Sequence, residues 1–363
     1  MNFFVRHSLA LTRRVVTSKF RLLGLCTCVL LSGCRTPSPE IPLHRYEFKS
    51  AHMGTAFTIV LHAVDTRTAS EAATAAFRRI AALEDIMSDY QADSEVNLLC
   101  EKPVGIPVPL SQDLFEVLRR SEHISRISEG AFDVTVGPYV RLWRFARKRK
   151  VLPSPEEVAT ARASVGWEKL RIDARAHTAT LLVSGMRLDL GGIAKGFAAD
   201  QALTVLRARG ISRALVAASG DIAIGDPPPG EQGWKIGIAG WESKGSPCTL
   251  LLRNCGISTS GDAEQFIEIG GIRYSHIVST TTGLGLTERI QVTIIAPNAT
   301  TTDGLATAVS ALGKQAGLRL IEKQAHTAAL LIIPTSGGSM QVFPSKRFNQ
   351  VPKVQESATA HVR

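Results

Sequence analysis

Hydrophobic and polar positions repeat along this chain with two periods, and the period separates helix from strand. In 70–89 the apolar residues Ala73, Ala76, Phe77, Ile80, Leu83 and Met87 recur three and four apart, which predicts a helix with one core-facing stripe. The same spacing marks helices in 111–128 (Leu114, Val117, Leu118, Ile124), in 193–210 (Ile193, Ala194, Phe197, Ala198, Ala202, Val205, Leu206) and in 300–313 (Leu305, Ala308, Val309, Leu312). Asp93 or Ser94 is placed to cap a short helix running through Leu99. Runs rich in β-branched and aromatic residues predict strands at 53–63, 214–224, 234–239, 249–252, 256–262 and 274–278. Ser219-Gly220-Asp221 interrupts the second of these, as a turn between two strands or a bulge in one. Strands arrive as neighbours and hairpins more than as βαβ repeats, so the expected class is α+β, mainly antiparallel sheets with packed helices.

The start of the chain follows neither period. Arg6, Arg13, Arg14, Lys19 and Arg21 precede an apolar run, 22–31, too short to span a bilayer. It ends in Leu31-Ser32-Gly33-Cys34, which resembles a bacterial lipobox, whose cysteine is lipidated and becomes the mature N-terminus; an ordinary signal peptide with a chance cysteine is the alternative. The expected organisation is a lipoprotein signal peptide over 1–33, a lipidated tether over 34–45, one domain over 46–343 and a loose polar tail over 344–363. A lipid anchor at Cys34 implies the bacterial cell envelope, with the domain facing the periplasm.

Removing 1–33 takes away five positive charges and no acidic ones, so the formal net charge falls from +10 to +5. The remaining basicity gives no nucleic-acid signal, and the basic stretch 141–150, interleaved with Trp143 and Phe145, reads as a solvated edge. Of six cysteines, only Cys100, Cys248 and Cys255 lie beyond the leader and Cys34. Seven residues of extended strand would hold Cys248 and Cys255 about 23 Å apart, so without an intervening turn they cannot pair. No Cys-x-x-Cys or paired-histidine spacing suggests zinc.

Candidate chemistry gathers at 188–210, LDLGGIAKGFAADQALTVLRARG, where a short strand breaks at Gly191-Gly192 and a helix begins, to end at Gly210. The free N–H groups of a helix start suit an anion. Lys195 in that first turn opposes the helix dipole, so it either answers to a bound phosphate or is a solvated lysine beside a tight turn. Neither the P-loop spacing nor the Rossmann Gly-x-Gly-x-x-Gly is present. Asp133, after Phe132 in Gly130-Ala131-Phe132-Asp133, is a turn carboxylate bonded to local backbone or a ligand contact. Tyr90 is a loop-edge packing residue or a stacking platform. His276 lies on the strand read at 274–278 and is structural or a base. Asp303 and Thr307, four apart on one helix face, are hard oxygen donors suited to Mg²⁺, or else a helix N-cap (Asp303 or Thr302) and a back-bonded threonine.

In order, Met53-Gly54-Thr55, 87–95, GAFDVTVGP with Leu142-Trp143, LDLGGIAKGFAAD, SGDI, Ser275-His276-Ile277 and TDGLAT resemble the ApbE-type flavin transferases (FAD:protein FMN transferases) over roughly 46–311. The resemblance implies that Met53, Tyr90, Ala131, Phe132, Asp133, Asp189, Lys195 and Ile277 surround FAD. It implies Mg²⁺ held by the Gly192 carbonyl, Asp303 and Thr307, with Ala306 alongside, and it makes His276 the candidate general base. The implied reaction transfers FMN from FAD to a Thr or Ser hydroxyl of an acceptor protein, releasing AMP, and family acceptors include membrane electron-transfer subunits. Hydrolysis of FAD to FMN and AMP, or flavin binding without chemistry, are the alternatives. Two departures stand out: Val278-Ser279-Thr280 where many relatives carry Ile-Asp-Pro, and Arg144 where relatives often carry glycine in Leu-Trp-Gly-Phe.

Overall fold

A computed structural model describes residues 42–354 apart from 244–245, 262–265 and 336. The expected signal peptide, Cys34 and residues 355–363 lie outside the described residues. The strands, in chain order, are β1 (His44–His52), β2 (Thr55–Ala63), β3 (Val108–Pro109), β4 (Leu170–Asp173), β5 (Thr178–Leu181), β6 (Ala214–Ala218), β7 (Asp221–Ile224), β8 (Trp234–Ser243), β9 (Ser246–Leu252), β10 (Cys255–Ser260), β11 (Phe266–Ile269), β12 (Ile272–Ser275), β13 (Gln291–Ala296), β14 (Ala328–Pro334) and β15 (Met340–Pro344). The helices are α1 (Thr66–Met87), α2 (Glu95–Cys100), α3 (Gln112–Ile127), α4 (Gly137–Arg149), α5 (Pro155–Arg162), α6 (Ala194–Ala208) and α7 (Ala299–Lys323).

One eight-stranded sheet, ordered β1-β2-β6-β7-β10-β13-β14-β15 with every neighbour antiparallel, carries the fold. Its strands alternate by face. Val292 and Ile294 of β13 and Ala329 and Leu331 of β14 join the large core with α1, α3, α6 and α7, whereas Ile295, Leu330 and Ile332 join a second core with Trp234, Leu250 and Phe348. Two buried faces explain why β13 and β14 read as nearly continuous apolar runs rather than alternating ones. The α+β class expected from the sequence is the class observed.

The expected helices appear with shifted ends. Asp65 caps α1 and Ser111 caps α3, each through its side chain, while Ser94 caps α2. Gly210, at φ +80°, follows α6, its N–H donated to the Arg207 carbonyl. α7 runs ten residues past the expected 313, because Gly313 at φ 70° kinks the helix without ending it. Its N-cap is Asn298, whose side chain accepts from Thr301 N–H, so neither Asp303 nor Thr302 caps it. Strands β6 and β7 form a hairpin, with Ser219 and Gly220 as the connection.

Three expectations need correction. Strand β1 begins at His44, inside the expected tether, because it pairs with β2 along its whole length. The tail is not loose from 344: Phe348 is fully buried in the second core, and Leu251 N–H donates to the Pro352 carbonyl. The basic stretch 141–150 lies in α4, with Trp143 buried edge-on against Tyr274; its arginines keep one face wet while the indole fills a third, small core. Cys248 and Cys255 are unpaired as expected, although a turn at Arg253-Asn254 does separate them; both are free thiols.

Candidate functional site

The site is assembled where α6 and α7 begin. Asp200 of α6 accepts from the N–H groups of Ala299 and Thr300 (2.9 and 2.8 Å) and from the Thr300 hydroxyl, which ties the start of α7 to the middle of α6. Reciprocally, Asp303 of α7 accepts from the Gly196 N–H at 2.9 Å. The anion at the α6 N-terminus is therefore a carboxylate of the protein itself, which satisfies one of the free donors that end leaves. The helices approach this closely because residue 196 is glycine: a Cβ there would lie 2.2 Å from the Ala299 carbonyl oxygen.

Lys195 has partners within the protein itself: its ammonium pairs with Asp221 at the start of β7 and lies 3.7 Å from Asp303 Oδ1, with part of the side chain still open to solvent. Burial works against its charged form, but Asp221 and Asp303 outweigh that and hold its pKa above the usual lysine range. Burial, reinforced by the Asp221 charge, pushes Asp303 up to about 7 despite Lys195 and the Gly196 N–H. Two carboxylates face one ammonium, so the cluster carries a deficit of positive charge.

Around it stand further expected residues. Gly192 lies against Thr307 and Phe132; a Cβ on it would sit 3.1 Å from Thr307 Oγ1 and 3.3 Å from the Phe132 ring. Ala306 is buried beside them in α7. Asp189 Oδ1 accepts from Gly191 N–H at 2.8 Å and so shapes the glycine turn. Its own N–H donates to Val134, and Val136 bridges Arg187 in parallel, which zips 133–136 alongside 187–189. Burial and the nearby Asp89 charge push the Asp189 pKa up.

Asp133 turns back on its own loop: Oδ1 accepts from the N–H and hydroxyl of Thr135, both at 2.7 Å, and burial pushes its pKa up. Ala131 precedes it in the turn that follows α3, where its N–H donates to the Ser128 carbonyl. Met53 occupies the tight β1–β2 turn at φ 49° and donates its N–H to Glu84 of α1 at 2.7 Å. Tyr90 follows the end of α1 and is 78% exposed. His276 is not on a strand; β12 ends at Ser275, and His276 lies in a bend between Ser275 N–H···O=C Leu286 and Leu286 N–H···O=C Ile277. Ile277 N–H donates to Ser275 Oγ.

Sequence reading assigns Asp221, Asp200, Glu84 and Asp89 no role. The first two and Asp89 fall within the motifs SGDI, LDLGGIAKGFAAD and 87–95, and Asp221 carries a further signal as a carboxylate between apolar strand residues directly after a tight turn. Glu84 sits on an amphipathic helix among many charges, and only its partner distinguishes it. Among the described residues no group of three or more His, Cys, Asp or Glu is arranged to hold a metal, and no helix is long and apolar enough to cross a membrane.

Fold and site together define an α+β protein whose glycine turn, helix-start lysine and paired carboxylates are built on one face of an antiparallel sheet. The chain belongs to the ApbE family, whose sequence profile matches residues 53–331. It is 30% identical over 326 residues to the FAD:protein FMN transferase of Vibrio cholerae, covering 87% of this chain and 94% of that one. It is 32% identical to the FAD:protein FMN transferase of Haemophilus influenzae, covering 76% and 82%. Among solved structures it resembles the flavin transferase ApbE of Vibrio cholerae (TM-score 0.76, 29% identity, 85% of this chain and all of that one) and the Pseudomonas stutzeri flavinyl transferase ApbE in its apo form (0.76, 28%, 86% and 98%).

Proposed function

We infer that this protein transfers FMN from FAD to a threonine or serine hydroxyl of an acceptor protein. Family membership supports the reading, as do relatives named FAD:protein FMN transferase across most of their length. The observation that carries it to chemistry is the Lys195–Asp221–Asp303 cluster beside the Gly192 turn: a half-buried, fixed cation next to carboxylates that lack a full complement of positive charge.

In the reaction an acceptor hydroxyl oxygen attacks the FMN phosphorus of FAD. A phosphodiester bond to the acceptor forms, the pyrophosphate P–O bond breaks, and AMP leaves on the oxygen it keeps. His276 takes the hydroxyl proton, its backbone fixed by the bonds from Leu286 on either side. Lys195 keeps a positive charge at the helix start and Asp189 holds the glycine turn open toward the pyrophosphate. Val278-Ser279-Thr280 after His276 supplies no carboxylate to orient the ring.

The donor set fits a hard divalent cation. Asp303 Oδ1 is not used by Gly196, Thr307 Oγ1 lies against Gly192, and the raised Asp303 pKa marks a place where added positive charge is favourable. Asp303, Thr307 and the Gly192 carbonyl, with Ala306 alongside, would hold Mg²⁺, which supplies neutralisation of charge on the pyrophosphate.

The leader and lipobox pattern supports export and anchoring through Cys34, with the domain facing the periplasm; the family resemblance, rather than the leader, points to a membrane electron-transfer subunit as acceptor. The test uses soluble protein starting at Arg35 with FAD and Mg²⁺, with and without a threonine-containing acceptor peptide, beside His276→Ala and Asp303→Ala. Acceptor-dependent AMP with a flavin-labelled peptide is expected, and both variants abolish it. AMP without acceptor would replace the transferase with a hydrolase; FAD binding with no AMP would leave a flavin-binding protein. Labelling of intact cells with radiolabelled palmitate, lost in Cys34→Ala, checks the anchor.

A further inference from the structure

Arg144 on α4 makes three contacts that no fold-forming role demands together. Its Nη1 lies 2.6 Å from Asp89 Oδ2, its Nη2 lies 3.4 Å from Asp189 Oδ2, and its guanidinium carbon sits 4.1 Å from the centroid of the Tyr90 ring. α4 is already anchored by the neighbouring Trp143, which is buried in the third core. Arg144, the next residue, leaves the helix in a different direction from Trp143 and is not needed to hold that core. A planar guanidinium stacked on an aromatic face is a favourable contact in its own right, and its fork fixes the plane of the ring it covers.

The geometry has a direction. Asp189 uses its other oxygen, Oδ1, to accept from Gly191 N–H, so Arg144 links the glycine turn before α6 to the Tyr90 ring through one carboxylate. Asp89, adjacent to Tyr90 in sequence, holds the guanidinium from the opposite side. With Arg144 on one face and 78% of the residue exposed, Tyr90 offers its second face to solvent. An aromatic ring held on one face by a guanidinium and open on the other has an apolar surface suited to stacking on a planar ligand.

We propose that Arg144 is a positioning residue for FAD: stacked on one face of Tyr90 and bridging Asp89 and Asp189, it fixes the ring as a platform whose open face takes a planar heteroaromatic ring of the dinucleotide. The proposal rests on the FMN-transfer reading above. An ordered platform binds without first losing side-chain freedom, so its benefit falls on affinity rather than on the chemical step. Removing the guanidinium frees Tyr90 to rotate and leaves Asp89 and Asp189 facing each other across the gap.

The test titrates FAD into wild type, Arg144→Leu, Arg144→Lys, Tyr90→Ala and the Arg144→Leu/Tyr90→Ala double variant, following flavin fluorescence and the circular dichroism of the bound flavin, with AMP release giving KM and kcat. Arg144→Leu is expected to raise the FAD Kd about fivefold, the upper size of a solvent-exposed cation–aromatic contact, while kcat stays within about twofold. Arg144→Lys restores thermal stability by keeping a charge between the carboxylates, but not the flavin dichroism, because an ammonium does not stack as a plane. The double variant binds no worse than Tyr90→Ala, since both changes remove one platform. Competition by FMN and by AMP identifies the stacked ring: a loss in Arg144→Leu confined to one of them names that end of FAD. Wild-type affinity in Arg144→Leu, a fall in kcat at unchanged Kd, additive losses in the double variant, or unaltered competition by both halves would each overturn the proposal. Wild type that binds no FAD in the first titration overturns the FMN-transfer reading together with it, whereas FAD binding by wild type with Arg144→Leu unaffected removes the proposal alone.

Discussion

Replacing Lys195 by methionine tests whether the buried cluster is held by charge. The change leaves Asp221 and Asp303 facing each other without their shared cation. At an effective dielectric of about 20, a unit charge pair at the 3.7 Å separation of Lys195 and Asp303 is worth about 4.5 kcal/mol before desolvation is counted. Removing one partner of a buried pair costs about 3–5 kcal/mol; the lysine side chain is 28% exposed, so the lower end of that range applies. Asp221→Asn costs less, about 1–2 kcal/mol, because Lys195 keeps Asp303 and the repulsion between the carboxylates is lost. In the double variant a single buried carboxyl remains and can protonate, so the expected cost is about 2 kcal/mol, and the two changes are coupled by about 2 kcal/mol.

The pH dependence follows from Asp303. Its folded pKa, about 7, stands above the model carboxylate value of 3.8. The folded state therefore binds the proton more tightly, and the stability this contributes is present below about pH 4 and lost as pH rises through about 7. Without Lys195 the folded pKa rises further, so Lys195→Met is more destabilising at pH 8 than at pH 6. Urea unfolding of all four proteins at both values, with a chelator present, measures this. Additivity within about 0.5 kcal/mol, or a Lys195→Met cost independent of pH, would refute the argument.

Gly196→Ala forces a methyl to within 2.2 Å of the Ala299 carbonyl; with backbone as the obstacle, a loss of about 3 kcal/mol or more is expected, read by calorimetry and by loss of FAD binding. Asp200→Ala removes three hydrogen bonds at the start of α7 and is expected to cost about 2 kcal/mol, whereas Thr204→Ala, one turn further along the same helix and exposed, moves the melting temperature far less. Burial pushes the Cys255 thiol up to about 11, so iodoacetamide should leave it unmodified at pH 8 in native protein and label it once urea unfolds the chain; rapid native labelling at pH 8 would contradict the buried thiol.

Much of this protein was legible in order along the chain. The apolar stripes of α1, α3, α6 and α7 fixed their core faces, because a helix that must bury one side writes a 3.6-residue period. Ser94 and Gly210 marked helix ends through local hydrogen bonding and a left-handed backbone. The α+β class followed from strands separated by short turns, and the motif order identified the family. The fold brings Gly192 of the glycine turn against Thr307 of α7 and the Phe132 ring, three residues that the family resemblance had picked out separately.

What tertiary structure decided is where each charge goes. Lys195 reads as a misplaced cation on its own helix, and only the packing of β7 and α7 beside it supplies Asp221 and Asp303. Asp303 reads as a helix cap, yet it caps a different helix, α6, across the site. Arg144 reads as one more basic residue in a charged run until α4 turns it toward Tyr90, Asp89 and Asp189. Local propensity and periodicity act over one or two turns and so leave a record in sequence. The partner of a buried charge such as Asp303 is set by a segment 107 residues away, and that choice exists only once the helices have packed.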